Sequence, residues 1–132
     1  MLEINGIREG RWIVGDLGNN RGIHTARLAG SLDEHTVGQL REMSEVVFDQ
    51  KGFSIGDDFL IDLGAVTEID HVGLAALIGI LIALSAKAGS LGLVLPEEHP
   101  VKRALQVTGL ERAFDIFDDQ AAAYEKLAAA TD

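Results

Sequence analysis

No cysteine occurs among the 132 residues, which removes disulfides, thiolate metal sites and cysteine nucleophiles together. Basic side chains are scarce: 11 Lys and Arg stand against 21 Asp and Glu, for a formal net charge of −10. So acidic a chain offers no basic patch to nucleic-acid phosphates or to an anionic membrane surface. It suits a soluble protein, or one that meets a basic partner. Long apolar runs are missing too. The stretch from Val72 to Leu84 holds no charged or polar side chain, yet at about 1.5 Å per residue it falls far short of a bilayer core of about 30 Å. Direct membrane insertion is therefore not expected. The segment MLEINGIREGRW has no basic region followed by an apolar stretch, so no secretory signal is read there. Without disulfides to form, the expected location is cytoplasmic.

What is present is enough for a core. Hydrophobic residues make up 47% of the chain, and a length of this order supports one domain. No repeat or linker interrupts it, so residues 1–132 are read as a single domain. Within it, 1–22 hold N-terminal strands and a hairpin, and 128–132 form a frayed tail. Asp16 to Gly22 supply Gly and Asn for the hairpin turn. Ile23 to Ala29 read as a strand. Asp33 or Ser31 is placed to cap the helix that follows to about Phe48, and Ser31 with Glu34 has capping-box spacing. Gln50 to Asp57 read as a loop.

The chain is organised around residues 58–88. Phe59, Leu60, Ile61 and Leu63 suit a strand covered on both faces and closed by Gly64. Asp70 precedes the apolar run, where its carboxylate can accept from the first free helical N–H groups. At about 100° per residue, Ala75, Gly79, Ala83 and Ala86 share a narrow stripe of the resulting helix. That stripe permits close approach of another backbone, either the chain's own sheet or a partner. Gly89 reads as the helix stop, Leu91 to Leu95 as another buried strand, and Val101 to Val107 as a short helix after Pro100 and before Gly109. Phe114 to Phe117 read as a last strand, and Asp118 or Asp119 as the cap of a final helix through Leu127. Strands alternating with helices specify an α/β layer. The expected architecture is a mixed sheet of four to six strands, with about four helices packed mainly on one side.

Catalytic and ligand motifs are weak. The Gly18-to-Gly22 spacing lacks the Lys and Ser/Thr of a phosphate-binding loop. Ser31, Asp33 and His35 are too close in one loop for a relay geometry. His24, His35, His71 and His99 have no i, i+4 pairing that would suggest a metal. The acid pairs Asp57-Asp58, Glu97-Glu98 and Asp118-Asp119 sit at loops and helix starts, where acids favour the helix dipole. The reading is a protein without catalytic residues, metal or cofactor.

Several strings in order resemble the STAS domain of anti-sigma factor antagonists. They are Gly30-Ser31-Leu32-Asp33, Leu60-Ile61-Asp62-Leu63, Ile69-Asp70-His71-Val72-Gly73-Leu74, Lys87-Ala88-Gly89, and the run from Thr108 to Phe114. The resemblance spans roughly residues 10–127 and implies a STAS fold. It also implies a protein-interaction module, an anti-anti-sigma factor, that binds an anti-sigma factor of the ATP-binding serine-kinase type. In that family a phosphorylatable Ser follows the Asp at the helix entry, in the pattern Asp-Ser-x-Gly, and phosphate there weakens docking by charge and bulk.

Here the slot holds His71, and Val72 follows, so no hydroxyl stands at the family position. Thr67 is nearby but does not match the motif. Three readings of His71 are open: an unregulated surface residue, a partner contact, or a phosphoryl acceptor in its own right. The protein-binding residues implied by the resemblance are Asp33, Asp70, His71, Val72 and Gly73. Other STAS roles stay open as alternatives: the soluble subunit of a lipid-transporting ABC complex, and a scaffold component of a stress-sensing assembly. A homodimer through the apolar helix is a further open state.

Overall fold

A computed structural model describes residues 12–20, 23–49 and 54–130. Five strands form one sheet in the order β1-β2-β3-β4-β5. They are β1 (Trp12–Asn20), β2 (Ile23–Leu32), β3 (Asp58–Ile69), β4 (Leu91–Val94) and β5 (Asp115–Phe117). β1 runs antiparallel to β2, and the other neighbours are parallel. The helices are α1 (Val37–Asp49), α2 (His71–Ala86), α3 (Pro100–Thr108) and α4 (Gln120–Ala130). A 3-10 turn at Leu110–Ala113 follows α3.

Side-chain alternation along the strands separates two cores. Phe59, Ile61 and Leu63 of β3 join Ala26 and Leu28 of β2 under Leu40 and Met43 of α1, Leu77 and Leu84 of α2, and Val101 and Leu105 of α3. On the opposite face Leu60 of β3, Val94 and Phe117 pack with Ala123 and Leu127 of α4. Among the described residues, three helices therefore share one face and α4 alone covers part of the other, as expected for a sheet whose helices lie mainly on one side. The Phe48 and Phe59 rings meet edge to face at 6.1 Å between centroids, tying α1 to β3.

Several element boundaries differ from the sequence reading. Asp16 to Asn20 belong to β1 and pair with β2 as far as Asn20↔Ile23. The hairpin stands, but its connection at residues 21–22 lies outside the described residues, as do residues 1–11. β2 continues to Leu32, which keeps Ser31 in the strand, where its Oγ donates to Glu68 at 3.4 Å. The Ser31–Glu34 capping box is therefore not formed. β3 does not end at Gly64. Asp62 Oδ1 accepts from Gly64 N at 2.9 Å, β4 pairing stops at Asp62↔Val94, and β3 runs on against β2 to Leu32↔Ile69. Gly64 marks where one neighbour leaves, not where the strand stops.

Helix ends also shift. Gly89 is not the left-handed residue that closes α2; Ala88 takes that conformation at φ 59. Gly89 N donates to Leu84 O at 2.8 Å and Ala88 N to Ser85 O at 3.1 Å, which satisfies the last carbonyls. Gly89 is small for another reason: a Cβ there would collide with the Asp57 carbonyl oxygen. α4 extends to Ala130 rather than fraying after Leu127, and Asp119 Oδ1 caps its first turn by accepting from Ala122 N at 2.8 Å. Residues 131 and 132 lie outside the described residues. Gly109 closes α3 at φ 77, as its position before the 3-10 turn requires.

Candidate functional site: the entry of the central helix

The residues singled out in the sequence meet at the carboxyl ends of β2 and β3. The last pair of that ladder is Leu32↔Ile69. Immediately beyond it, Asp70 N donates to Leu32 O at 3.2 Å. Asp70 then turns the chain into α2. Its extended backbone aims Oδ1 at the free donors of the first turn, accepting from Val72 N at 2.9 Å and Gly73 N at 3.0 Å. Gly73 is what allows this junction to close: a Cβ on it would lie 2.6 Å from Leu32 O and 2.9 Å from Ile69 Cγ1.

The Asp33 turn stands on the other side of Leu32. Asp33 Oδ1 accepts from His35 N at 2.8 Å, while Asp33 O accepts from Thr36 N at 3.1 Å and Val37 N at 2.9 Å. Buried Thr36 locks this turn. Its Oγ1 accepts from Asp33 N at 3.0 Å and donates to Ser31 O at 2.8 Å. Asp33 thus shapes the turn that leads into α1, as its capping residue type suggests. Thr36 was not singled out in the sequence. A hydroxyl immediately ahead of an amphipathic helix is the only signal that marks it.

The five family-implied residues therefore form one patch: the Asp33 turn and the Asp70–Gly73 entry, joined through Leu32. They differ in exposure. Asp33, Asp70 and Val72 are half-buried, Gly73 is buried, and His71 is exposed. The His71 side chain makes no hydrogen bond or ion pair among the described residues. Thr67 is exposed on the last turn of sheet before this entry, off the helix itself.

The other histidines have structural partners, as do several of the acids. His24 is buried with Nε2 3.0 Å from Asp57 Oδ2, which also accepts from Ser54 N at 2.8 Å. His99 caps α3, its Nδ1 accepting from Val101 N at 3.1 Å. Its other nitrogen then carries the proton and donates to Gly64 O at 3.1 Å. Asp58 accepts from both Ser90 N and Ser90 Oγ, at 3.0 and 2.8 Å. Ser31, Asp33 and His35 do not converge: the serine faces Glu68, and the His35 ring lies 3.5 Å from Glu34 Oε1. Among the described residues no group of three His, Asp or Glu side chains is arranged to hold a metal ion. No helix among them is long and apolar enough to cross a membrane.

A mixed, mostly parallel sheet with a capped, apolar central helix entered through Asp70 fits a known family, and the STAS domain model matches residues 17–123. The chain belongs to the STAS family. The anti-sigma F factor antagonist of Paenibacillus polymyxa is 25% identical over 112 residues, which are 85% of this STAS chain and 92% of that protein. An anti-sigma factor antagonist homologue from Thermotoga neapolitana is 34% identical over 84 residues, 61% of this chain and 71% of that one. Among solved structures, an anti-sigma factor antagonist from Mycobacterium paratuberculosis superposes with a TM-score of 0.73 at 22% identity, covering 92% of this chain and 95% of its own. This likeness establishes a shared STAS fold.

The sequence left open whether the small stripe of α2 meets the sheet. The stripe Ala75, Gly79, Ala83 and Ala86 does not pack against the sheet. Leu74, Leu77, Ile80 and Leu84 do so, while Ala75, Gly79 and Ala86 are exposed and Ala83 is half-buried. Ala75, Gly79 and Ala83 of the stripe form one wall of an open groove of about 310 Å³, with Ala76 and Ile80 on the same helix. Arg41, Ser44, Glu45 and Phe48 of α1 form the opposite wall. Ile82 stands beside it, 64% exposed.

Proposed function

We propose that this STAS chain is a non-catalytic, cytoplasmic interaction module of the anti-sigma factor antagonist kind. It acts as one domain over residues 1–132 and binds an anti-sigma factor of the ATP-binding serine-kinase type. The contact is made by Asp33, Asp70, His71, Val72 and Gly73. The observation that carries this reading is the junction at Leu32, which holds the Asp33 turn and the α2 entry side by side, with His71 exposed at that entry. The names of its relatives point to an anti-sigma factor as the partner.

In this reading the module has lost the usual phosphate switch. Phosphate at the family slot would sit at a helix start, inside the interface, and weaken docking by charge and bulk. With His71 in the slot there is no hydroxyl to modify. The antagonist stays competent to bind whenever it is present, and control passes to its abundance or to its partner. His71 then acts as a contact that helps set partner identity. No cofactor enters this scheme.

The test is a native pull-down from the source cell with mass spectrometry, using the wild-type chain as bait. Recovery of an ATP-binding kinase of the anti-sigma type is the expected result. Recovery of an ABC ATPase with its permease, and no such kinase, overturns the proposal in favour of transport. A particle far larger than the 14.1 kDa chain, built of STAS domains alone, overturns it in favour of assembly.

A further inference from the structure

Thr36 is 1% exposed, the most deeply buried polar residue among those described. A hydroxyl taken out of water costs free energy unless its donor and acceptor are used. Both are used here. Oγ1 donates to Ser31 O at 2.8 Å and accepts from Asp33 N at 3.0 Å. A simple apolar plug between β2 and α1 would be served by valine, which has a similar size and no polar atom. The hydroxyl instead bonds the two residues that flank Leu32.

Those bonds hold the end of β2 from one side, and the α2 entry holds it from the other. Ser31 O is taken by Thr36 Oγ1, and the next carbonyl, Leu32 O, by Asp70 N at 3.2 Å. Asp33 O then accepts from Thr36 N and Val37 N. The Asp33 side chain is fixed by the same turn. Its Oδ1 accepts from His35 N at 2.8 Å, and Thr36 Oγ1 lies 3.4 Å from that oxygen. Asp33 Oδ2 makes no hydrogen bond among the described residues. One carboxylate oxygen shapes the turn and the other is left open.

We propose that Thr36 is a positioning residue for the binding patch: its hydroxyl holds the Asp33 turn in the conformation the partner meets. Buried as it is, Thr36 touches no partner itself. This inference rests on the reading above, in which Asp33 is a contact, and adds what holds that contact ready. Order imposed before binding lowers the freedom lost on binding. Valine at position 36 removes the acceptor of Asp33 N and the donor to Ser31 O, and the turn loosens.

Amide hydrogen exchange read by NMR tests the positioning. Calorimetric titration with purified kinase-type anti-sigma factors from the source organism tests its consequence. Wild type, Thr36→Val and Thr36→Ser are compared, each with Asp33 intact and with Asp33→Ala. In Thr36→Val the Asp33 and His35 amides are expected to exchange about tenfold faster relative to those of Ile61 and Leu77 in the core. Thr36→Val is expected to bind about tenfold more weakly, the scale of a lost buried hydrogen bond. Thr36→Ser keeps the hydroxyl and binds like wild type. Once Asp33 is alanine, Thr36→Val adds no further loss, as two changes acting through one contact require. Should Thr36→Val not fold, Thr36→Ala removes the same hydroxyl without new bulk and carries the same expectations.

Unchanged relative exchange at Asp33 and His35 overturns the proposal with or without a partner in hand. Wild-type affinity for Thr36→Val overturns it too. Equal weakening with and without the Asp33 carboxylate also overturns it, by giving Thr36 a general structural role, and leaves the partner reading standing. No binding of wild type by any kinase of this type overturns the partner reading, and with it the role of Thr36 in binding.

Discussion

Gly73 and Gly79 lie on the same helix, and a Cβ would meet opposite surroundings at each. At Gly73 it would meet Leu32 O at 2.6 Å, Ile69 Cγ1 at 2.9 Å and Leu32 Cγ at 3.0 Å. At Gly79 it would meet nothing within 4 Å. The first glycine lets the helix entry press against the end of β2; the second faces the open groove. The same contrast holds for the large side chains: Leu77 is fully buried, whereas Ile82 is 64% exposed. A helix that is apolar all round normally has all its faces covered. Here one face is used by the fold and another is left uncovered beside a groove, and that difference separates what holds the protein together from what is available for docking.

The comparison can be broken by substitution, and the largest effect belongs to the buried face. Leu77→Ala is expected to cost about 2–5 kcal/mol by urea unfolding, the usual range for a fully buried leucine, while Ile82→Ala stays within about 0.5 kcal/mol. Equal losses would remove the distinction. Gly73→Ala comes next. The carbonyl of Leu32 is backbone and cannot move aside as a side-chain tip can, so overpacking of about 1–3 kcal/mol is expected, and a neutral result would mean the junction is looser than its contacts imply.

Asp70→Ala removes the acceptor for two first-turn N–H groups and should cost about 1 kcal/mol, with Asp70→Asn recovering most of it. The smallest effect has the opposite sign. Gly79→Ala replaces glycine at an exposed helix interior and should raise stability by about 0.5–1 kcal/mol; a loss of stability would show that the groove closes in solution.

The sequence made the capped entry legible because its signals are local. An Asp before an uncharged apolar run has one strong structural use, and its two hydrogen bonds are in place. The strand beyond Gly64 was not legible, because Glu68 and Thr67 after a glycine read as loop. They remain in β3 only because β2 is there to pair with them. The C-terminal stop of α2 misled for a related reason. Gly89 suggested a left-handed turn, but its lack of a side chain serves the approach of the Asp57 carbonyl, a contact from the preceding loop.

The stripe of α2 shows the deeper limit. Helical spacing placed Ala75, Gly79 and Ala83 together, but with apolar residues on every side nothing in α2 itself says which face meets the sheet. The opposite wall of the groove comes from α1, with Arg41 and Glu45 distant in sequence from the residues they face. The five residues of the proposed binding patch were named through family resemblance, and what the fold adds is their joining through Leu32 and Thr36.

The most direct test of the central claim uses the slot at His71. Wild type and His71→Ser, which restores the Asp-Ser-x-Gly pattern, are incubated with a kinase-type anti-sigma factor that binds the wild type, plus magnesium and ATP. Intact-mass spectrometry and binding are then followed together. The account predicts that wild type stays bound and gains no phosphate, while His71→Ser gains one phosphate on the new serine and is released. Phosphate on wild type, or a His71→Ser chain that binds but is never modified, would contradict it.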